Sequence, residues 1–147
     1  MFKFKLEPVL SLKEKIEDSK KRELGAATMH KEVLFNEKRQ LMEKKEEAMQ
    51  AVKAHNSIVV DVRSLKAFNQ YSVYMDQAIK AKSKQVQESQ KKVDEKREEL
   101  LEAVKERKIL DNLKDIQNEV FMEEEKREEQ RILDDIVTYK YGKKGRE

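Results

Sequence analysis

The feature that most limits how this chain can fold is a long interval without glycine or proline, from Ala26 to Tyr141. Outside it lie the only proline and all three glycines: Pro8, Gly25, Gly142 and Gly145. Sheets of short strands need frequent turns, and turns draw heavily on these two residues. The interval therefore predicts an all-α fold of long helices.

Composition decides between a coiled coil and a disordered chain. Charged residues make up 43% of the chain and hydrophobic residues only 37%, so a compact core is not expected. High charge with low hydrophobicity also fits disorder. However, the net charge is only +3 because acids and bases are interleaved, and the apolar residues recur at helical spacing. These properties favour an elongated coiled coil.

The first helix is predicted from about residue 8 to 57. Pro8 suits a first helical turn, where its missing N–H has no partner to lose. A spacing of seven then marks the seam, meaning the row of residues that faces another helix: Leu34, Leu41, Ala48, His55 and Val62. Other seam positions are Lys31, Lys38 and Lys45. Lysine stems can cover apolar surface while the ammonium reaches water, so this seam is weak.

The second helix is predicted from about residue 65 to 138. Its expected seam is Met75, Ile79, Val86, Val93, Leu100, Val104, Ile109, Leu113, Ile116 and Val120. A basic tail, 139–147, is expected to follow it, with Lys140, Lys143, Lys144 and Arg146.

The connection between the helices is placed at about residues 58–64. This region combines Asn, Asp and Ser with β-branched residues, which favour turns and caps over helix. A single continuous helix in a parallel dimer stays open as an alternative. In an antiparallel hairpin, paired residue numbers would add to about 122, and the second helix would extend beyond the first after about residue 115. That overhang is acidic, with a net charge of −6 over 111–137.

Enzymatic chemistry finds little support. The chain has no cysteine and no glycine-rich phosphate loop, and an extended coil offers no pocket that would shift carboxylate pKa values. His30 and His55 lie 25 positions apart, about 37 Å along one helix, too far to share a metal. No catalytic residue, metal or cofactor is therefore expected.

The sequence also indicates the compartment of the protein and the kinds of partner it can bind. No apolar run is long enough to span a bilayer, so no integral membrane insertion is expected. The segment Met1–Leu6 lacks the apolar stretch of a signal peptide, which favours a cytosolic protein. Interleaved acids argue against nucleic acid as a partner, because that binding needs a one-sided basic face.

Three stretches together resemble the FliJ family of the bacterial flagellar export apparatus: the opening FKFKLEPVLSLKEKIEDSKKRELG, the middle FNQYSVYMDQAI, and the end EEEKREEQRILDDIVTYKYGKK. The resemblance implies an antiparallel two-helix coiled coil similar to the stalk of F-type ATPases. Its open end would insert into the ring of the flagellar export ATPase and stimulate it. It would also contact the export-gate membrane protein and the flagellar export chaperones, and would lie on the cytoplasmic side of the cell membrane at the flagellar base.

The resemblance also implies positions for two contacts. The gate contact best aligns with Tyr71 and Met75, where the family more often has Phe and Leu, and Phe68 and Tyr74 are close alternatives. The ATPase contact maps to the overhang, at Gln130, Arg131, Leu133, Asp134 and Asp135.

Two other functions compete with this interpretation. A generic coiled-coil scaffold or dimerisation protein would affect no ATPase. A binder of nucleic acid or membrane surfaces, suggested by the pI near 8.9, would lose affinity steeply with added salt.

Overall fold

The computed structural model describes residues 1–145 as two long helices packed antiparallel, which confirms the all-α helical hairpin. Helix α1 spans Glu7–His55 and helix α2 spans Val62–Lys144. The two residues after Gly145 lie outside the described part, including Arg146 of the expected basic tail.

Local capping explains where α1 ends and α2 begins. The Asn56 side chain donates to the Val52 carbonyl at 2.8 Å and accepts from the Asp61 N–H at 2.6 Å. The Asp61 carboxylate in turn accepts from the Arg63 N–H at 3.1 Å. Asp61 is therefore the N-cap of α2. The connection is Asn56–Asp61, slightly earlier than the expected 58–64, because these two caps fix it.

The C-terminal end of α2 lies further along the chain than expected. The helix continues through Tyr139 and Gly142 to Lys144, so residues 139–144 of the basic tail are helical. Lysines in a last turn interact favourably with the helix dipole. Both Lys143 and Lys144 lie there.

The contacts divide the chain into two units. Unit 1 combines Met1–Glu17 with the chain from Glu102 onward, and unit 2 is Asp18–Leu101. In unit 1 the most buried apolar residues are Phe4, Leu10 and Ala103. In unit 2 they are Met75 and Val93.

Ion pairs between the helices set the antiparallel register inside each unit. In unit 1, Lys13 lies 2.6 Å from Glu106, and Lys114 lies 2.8 Å from Glu7. Unit 2 has four such pairs: Lys45–Asp76, Lys20–Glu99, Lys96–Glu23 and Lys82–Glu37. In every pair the two residue numbers add to about 120, close to the register expected from the sequence.

Beyond Leu100 the expected seam of α2 is only partly correct, because Val104 and Leu113 are partly buried as expected but three other positions are not. Ile109, Ile116 and Val120 are at least half exposed, whereas Arg107 and Lys114 are partly buried against α1. The spacing of seven from Val93 and Leu100 continues onto these two cations, and each has a carboxylate of α1 to pair with. His55 is likewise not on the seam, since it ends α1 with an exposed side chain.

Candidate interaction surfaces

Four charged residues close to the seam of unit 2 are paired with one another. Lys20 and Lys96 each contact both Glu23 and Glu99 in unit 2, at 3.0 to 3.5 Å. Hydrogen bonds to these glutamates raise the pKa of Lys20 and of Lys96. The same bonds lower the pKa of Glu23 and of Glu99. This four-residue cluster therefore helps to pair the two helices, and it is not a candidate surface for binding another protein.

A second polar cluster lies in unit 1. Glu17 is 6% exposed and accepts a hydrogen bond from Arg107, whose guanidinium also donates to Asp111. The bond to Glu17, followed by that to Asp111, raises the pKa of Arg107. A buried carboxylate needs such a partner, because an unpaired charge away from water is strongly destabilising.

The largest uncovered surface is the overhang, which we define as residues 122–144 of α2. Every residue in it is exposed. Its apolar side chains are about half exposed or more: Met122, Ile132, Leu133, Ile136, Val137, Tyr139 and Tyr141. At 1.5 Å per residue the overhang is about 34 Å long. A helix of this length with an uncovered apolar strip is a natural docking element.

The expected ATPase-contact residues all lie on the overhang. Gln130 and Asp134 are four residues apart, as are Arg131 and Asp135, so each pair occupies one helical row. Arg131 lies 3.7 Å from Glu128, an exposed pair that water screens. Leu133 is 58% exposed and belongs to the apolar strip. The helix thus presents these charges beside apolar surface, while their contact with an ATPase stays a prediction.

The expected gate-contact residues differ in accessibility. Tyr71 is 37% exposed and lines a shallow groove of about 370 Å³ together with Phe68 and Val52. Met75 is only 3% exposed and belongs to the core of unit 2. Tyr74, an alternative considered from the sequence, is 67% exposed. A partner can reach Tyr71 and Tyr74 directly, whereas Met75 is covered by the rest of unit 2.

The hairpin connection adds an apolar surface that sequence reasoning treated only as a turn. The exposed residues are Ile58, Val59, Val60, Val62 and Leu65. The run of β-branched residues was the available signal, since such residues in a turn have no core to enter.

The part of the chain that the structure describes also bears on two further kinds of site. Neither helix contains there a stretch both long and apolar enough to cross a bilayer. Over the same residues, no three His, Asp or Glu side chains converge as metal ligands.

Comparison with known proteins gives one match that spans nearly all of the chain. The family model described as "Flagellar FliJ protein" matches residues 2–146. No curated protein and no solved structure shows significant similarity to the chain.

Proposed function

The chain belongs to the FliJ family, a non-catalytic component of the bacterial flagellar export apparatus, and on that premise we propose that it is the stalk of the export ATPase. In this function α2 inserts into the ATPase ring and stimulates ATP hydrolysis. The hairpin also links the ring to the export gate and to the export chaperones. The single observation that carries the proposal is the overhang, because a long helix without a partner in its own chain needs one from another.

The chemistry of the overhang supports insertion into a ring. The apolar strip at Leu133, Ile136 and Val137 is suited to packing against apolar residues of a pore. Gln130, Arg131, Asp134 and Asp135 offer donors, acceptors and charges on the neighbouring rows, which favours a specific orientation over general adhesion. The paired part of the hairpin would stay outside or at the mouth of the ring.

The gate contact is proposed at the groove beside the hairpin connection. Tyr71 with Phe68 forms one wall, and tyrosine is enriched among residues that dominate binding energy. Tyr74 extends the accessible aromatic surface on α2. Because the groove and the overhang lie on different parts of the chain, one hairpin can engage gate and ATPase together.

With these proposed contacts the protein would lie on the cytoplasmic side of the cell membrane at the flagellar base, as a peripheral component. Its role is then in type III secretion of flagellar subunits, and through assembly of the flagellum in motility and chemotaxis. It needs no cofactor, since the ATPase supplies the chemistry.

The test is ATP hydrolysis by the cognate export ATPase, titrated with the full chain and with a variant that ends at Phe121. That variant keeps every contact between α1 and α2 described above and removes only the overhang. Stimulation by the full chain alone is the expected result. A matched control replaces Lys66, Lys80 and Lys84, three exposed lysines elsewhere on α2, by glutamate, and should stimulate normally.

Failure of the full chain to stimulate a competent ATPase would remove the stalk mechanism and favour the generic scaffold. Equal stimulation by the full chain and by the shortened variant would move the contact to the paired part of the hairpin.

A further inference from the structure

The overhang carries a symmetric pattern that insertion into a ring does not require. Its centre, residues 132–137, holds four exposed apolar side chains beside two aspartates, and it lies between two segments of opposite charge. Residues 123–129 have a net charge of −3, and residues 138–144 have a net charge of +3. Two such helices placed antiparallel would bring each acidic segment against the basic segment of the other.

Side-chain spacing on one face of the helix has the same symmetry. Six residues follow one another at intervals of four, three, four, three and four: Glu125, Glu129, Ile132, Ile136, Tyr139 and Lys143. Alternation of three and four places them on a single face. The intervals read the same in both directions, so the face matches its own reversed copy.

The chemistry of each layer fits this match. Reversal sets Ile132 opposite Ile136 of a second copy, which makes an apolar centre. It sets Glu129 opposite Tyr139, a hydroxyl donor for a carboxylate, and Glu125 opposite Lys143, an opposite charge. A parallel pair would instead place Glu125 on Glu125 and Lys143 on Lys143, which repel.

We propose that the overhang pairs antiparallel with the overhang of a second copy of this chain, forming a two-fold symmetric dimer. Such an interface is self-complementary, as two-fold dimers require. It covers an apolar strip that is otherwise in water. This proposal does not rest on the proposed function. If the stalk function holds, the dimer occupies the same helix and competes with the ring.

The test is sedimentation equilibrium of the full chain up to about 0.5 mM, where even weak specific pairs are populated. Dimers are expected for the full chain and not for the variant that ends at Phe121. One triple variant, Lys140→Glu/Lys143→Glu/Lys144→Glu, makes the basic segment −3. A second, Glu125→Lys/Glu128→Lys/Glu129→Lys, makes the acidic segment +3. Each alone should raise the dimer Kd at least about tenfold, and a 1:1 mixture should recover it.

Control variants separate this surface from general charge effects. The Lys66→Glu/Lys80→Glu/Lys84→Glu variant should dimerise as the natural chain does. Because the chain has no cysteine, orientation can be read by disulfide formation. Glu125→Cys mixed with Lys143→Cys should cross-link, whereas Glu125→Cys alone should not. Helicity by circular dichroism verifies that each variant remains folded.

Several results would overturn the proposal. They are a monomer at every concentration, a dimer that survives removal of the overhang, or self-cross-linking of Glu125→Cys. A monomer that sediments with anionic phospholipid vesicles through Lys140, Lys143 and Lys144 would assign the strip to a membrane surface instead.

Discussion

Phe2 packs against Phe121, with ring centroids 5.8 Å apart and planes tilted by 46°. This contact joins the segment before α1 to α2 at the last position where unit 1 covers that helix, since residues 122–145 are all exposed. Phe4, two residues further along, is 8% exposed. Phe2 and Phe4 therefore form a local anchor for the N-terminal segment, and the overhang begins directly after Phe121.

Removing this anchor should destabilise unit 1. Phe4→Ala deletes a buried ring and should lower the free energy of unfolding by about 3–5 kcal/mol. Leu12→Ala is the control, because Leu12 is 55% exposed and its loss should cost less than about 0.5 kcal/mol. Urea denaturation followed by circular dichroism measures both. Equal effects of the two substitutions would mean that the N-terminal segment does not anchor the helix.

The Glu17–Arg107 pair gives a prediction about a buried charge. Arg107→Leu leaves the Glu17 carboxylate, 6% exposed, without its guanidinium, and should lower the thermal midpoint. The double variant Glu17→Leu/Arg107→Leu removes both charges and should recover much of that loss, because apolar side chains suit a seam position. Thermal denaturation of the natural chain and the single and double variants tests the coupling. A double variant less stable than Arg107→Leu alone would contradict it.

The lysine and glutamate cluster of unit 2 predicts a pH dependence. Lowered pKa values at Glu23 and Glu99 stabilise the folded chain above their ordinary value of 4.5, and this contribution is lost as pH falls through the lowered values. Raised pKa values at Lys20 and Lys96 contribute below 10.5 and are lost as pH rises through the raised values. The urea midpoint should therefore fall on acidification from about pH 6 to about pH 3.

A matched variant isolates this cluster from the many other carboxylates. Glu23→Gln/Glu99→Gln should be less stable near neutral pH and should show a smaller fall on acidification. If the variant lost as much stability on acidification as the natural chain, that loss would have to come from other carboxylates.

Gly25 offers a stabilising substitution. It lies inside α1, is exposed, and a Cβ built on it has no neighbour within 4 Å. Glycine in a helix interior is about 1 kcal/mol less favourable than alanine. Gly25→Ala should therefore raise the free energy of unfolding by about 1 kcal/mol in urea denaturation. A loss of stability would indicate that α1 needs flexibility at this position.

Much of the fold could be predicted because two simple patterns determine it. The interval without glycine or proline specifies long helices, and the turn chemistry near Asn56 and Asp61 locates the connection within a few residues. The antiparallel register then follows from counting residues outward from the connection along each helix. Beyond Leu100 the part of the seam formed by Arg107 and Lys114 could not be predicted, because charged residues are normally expected to face water. Their partners Glu17 and Glu7 are remote in sequence and become visible only once the helices are paired.

The candidate sites likewise include features that the sequence predicts and features that only the packing of the helices reveals. An unpartnered overhang follows from the unequal helix lengths, so its exposure was accessible to sequence reasoning. The burial of Met75 could not be predicted from the sequence, since an apolar residue in a helix can lie either on a seam or on a surface that binds a partner. Only the packing of α2 on α1 in unit 2 distinguishes Met75 from Tyr71.

That distinction leads to a prediction about the gate contact. Tyr71→Ala removes an accessible ring and should weaken binding to the export-gate protein at least about tenfold, with little change in stability. Met75→Ala creates a cavity in the core and should destabilise the chain by about 2–4 kcal/mol. Its effect on binding should vanish under conditions where the variant is fully folded. Tyr74→Ala, at a more exposed neighbour, shows how far the surface extends.

Titration calorimetry with the cytoplasmic part of the gate protein measures binding, and urea denaturation measures stability. If Tyr71→Ala binds normally while folded Met75→Ala does not, the gate must reach Met75 by displacing α1. The groove lined by Phe68 and Tyr71 would then not be the contact, and the paired helices of unit 2 would have to open when the gate binds.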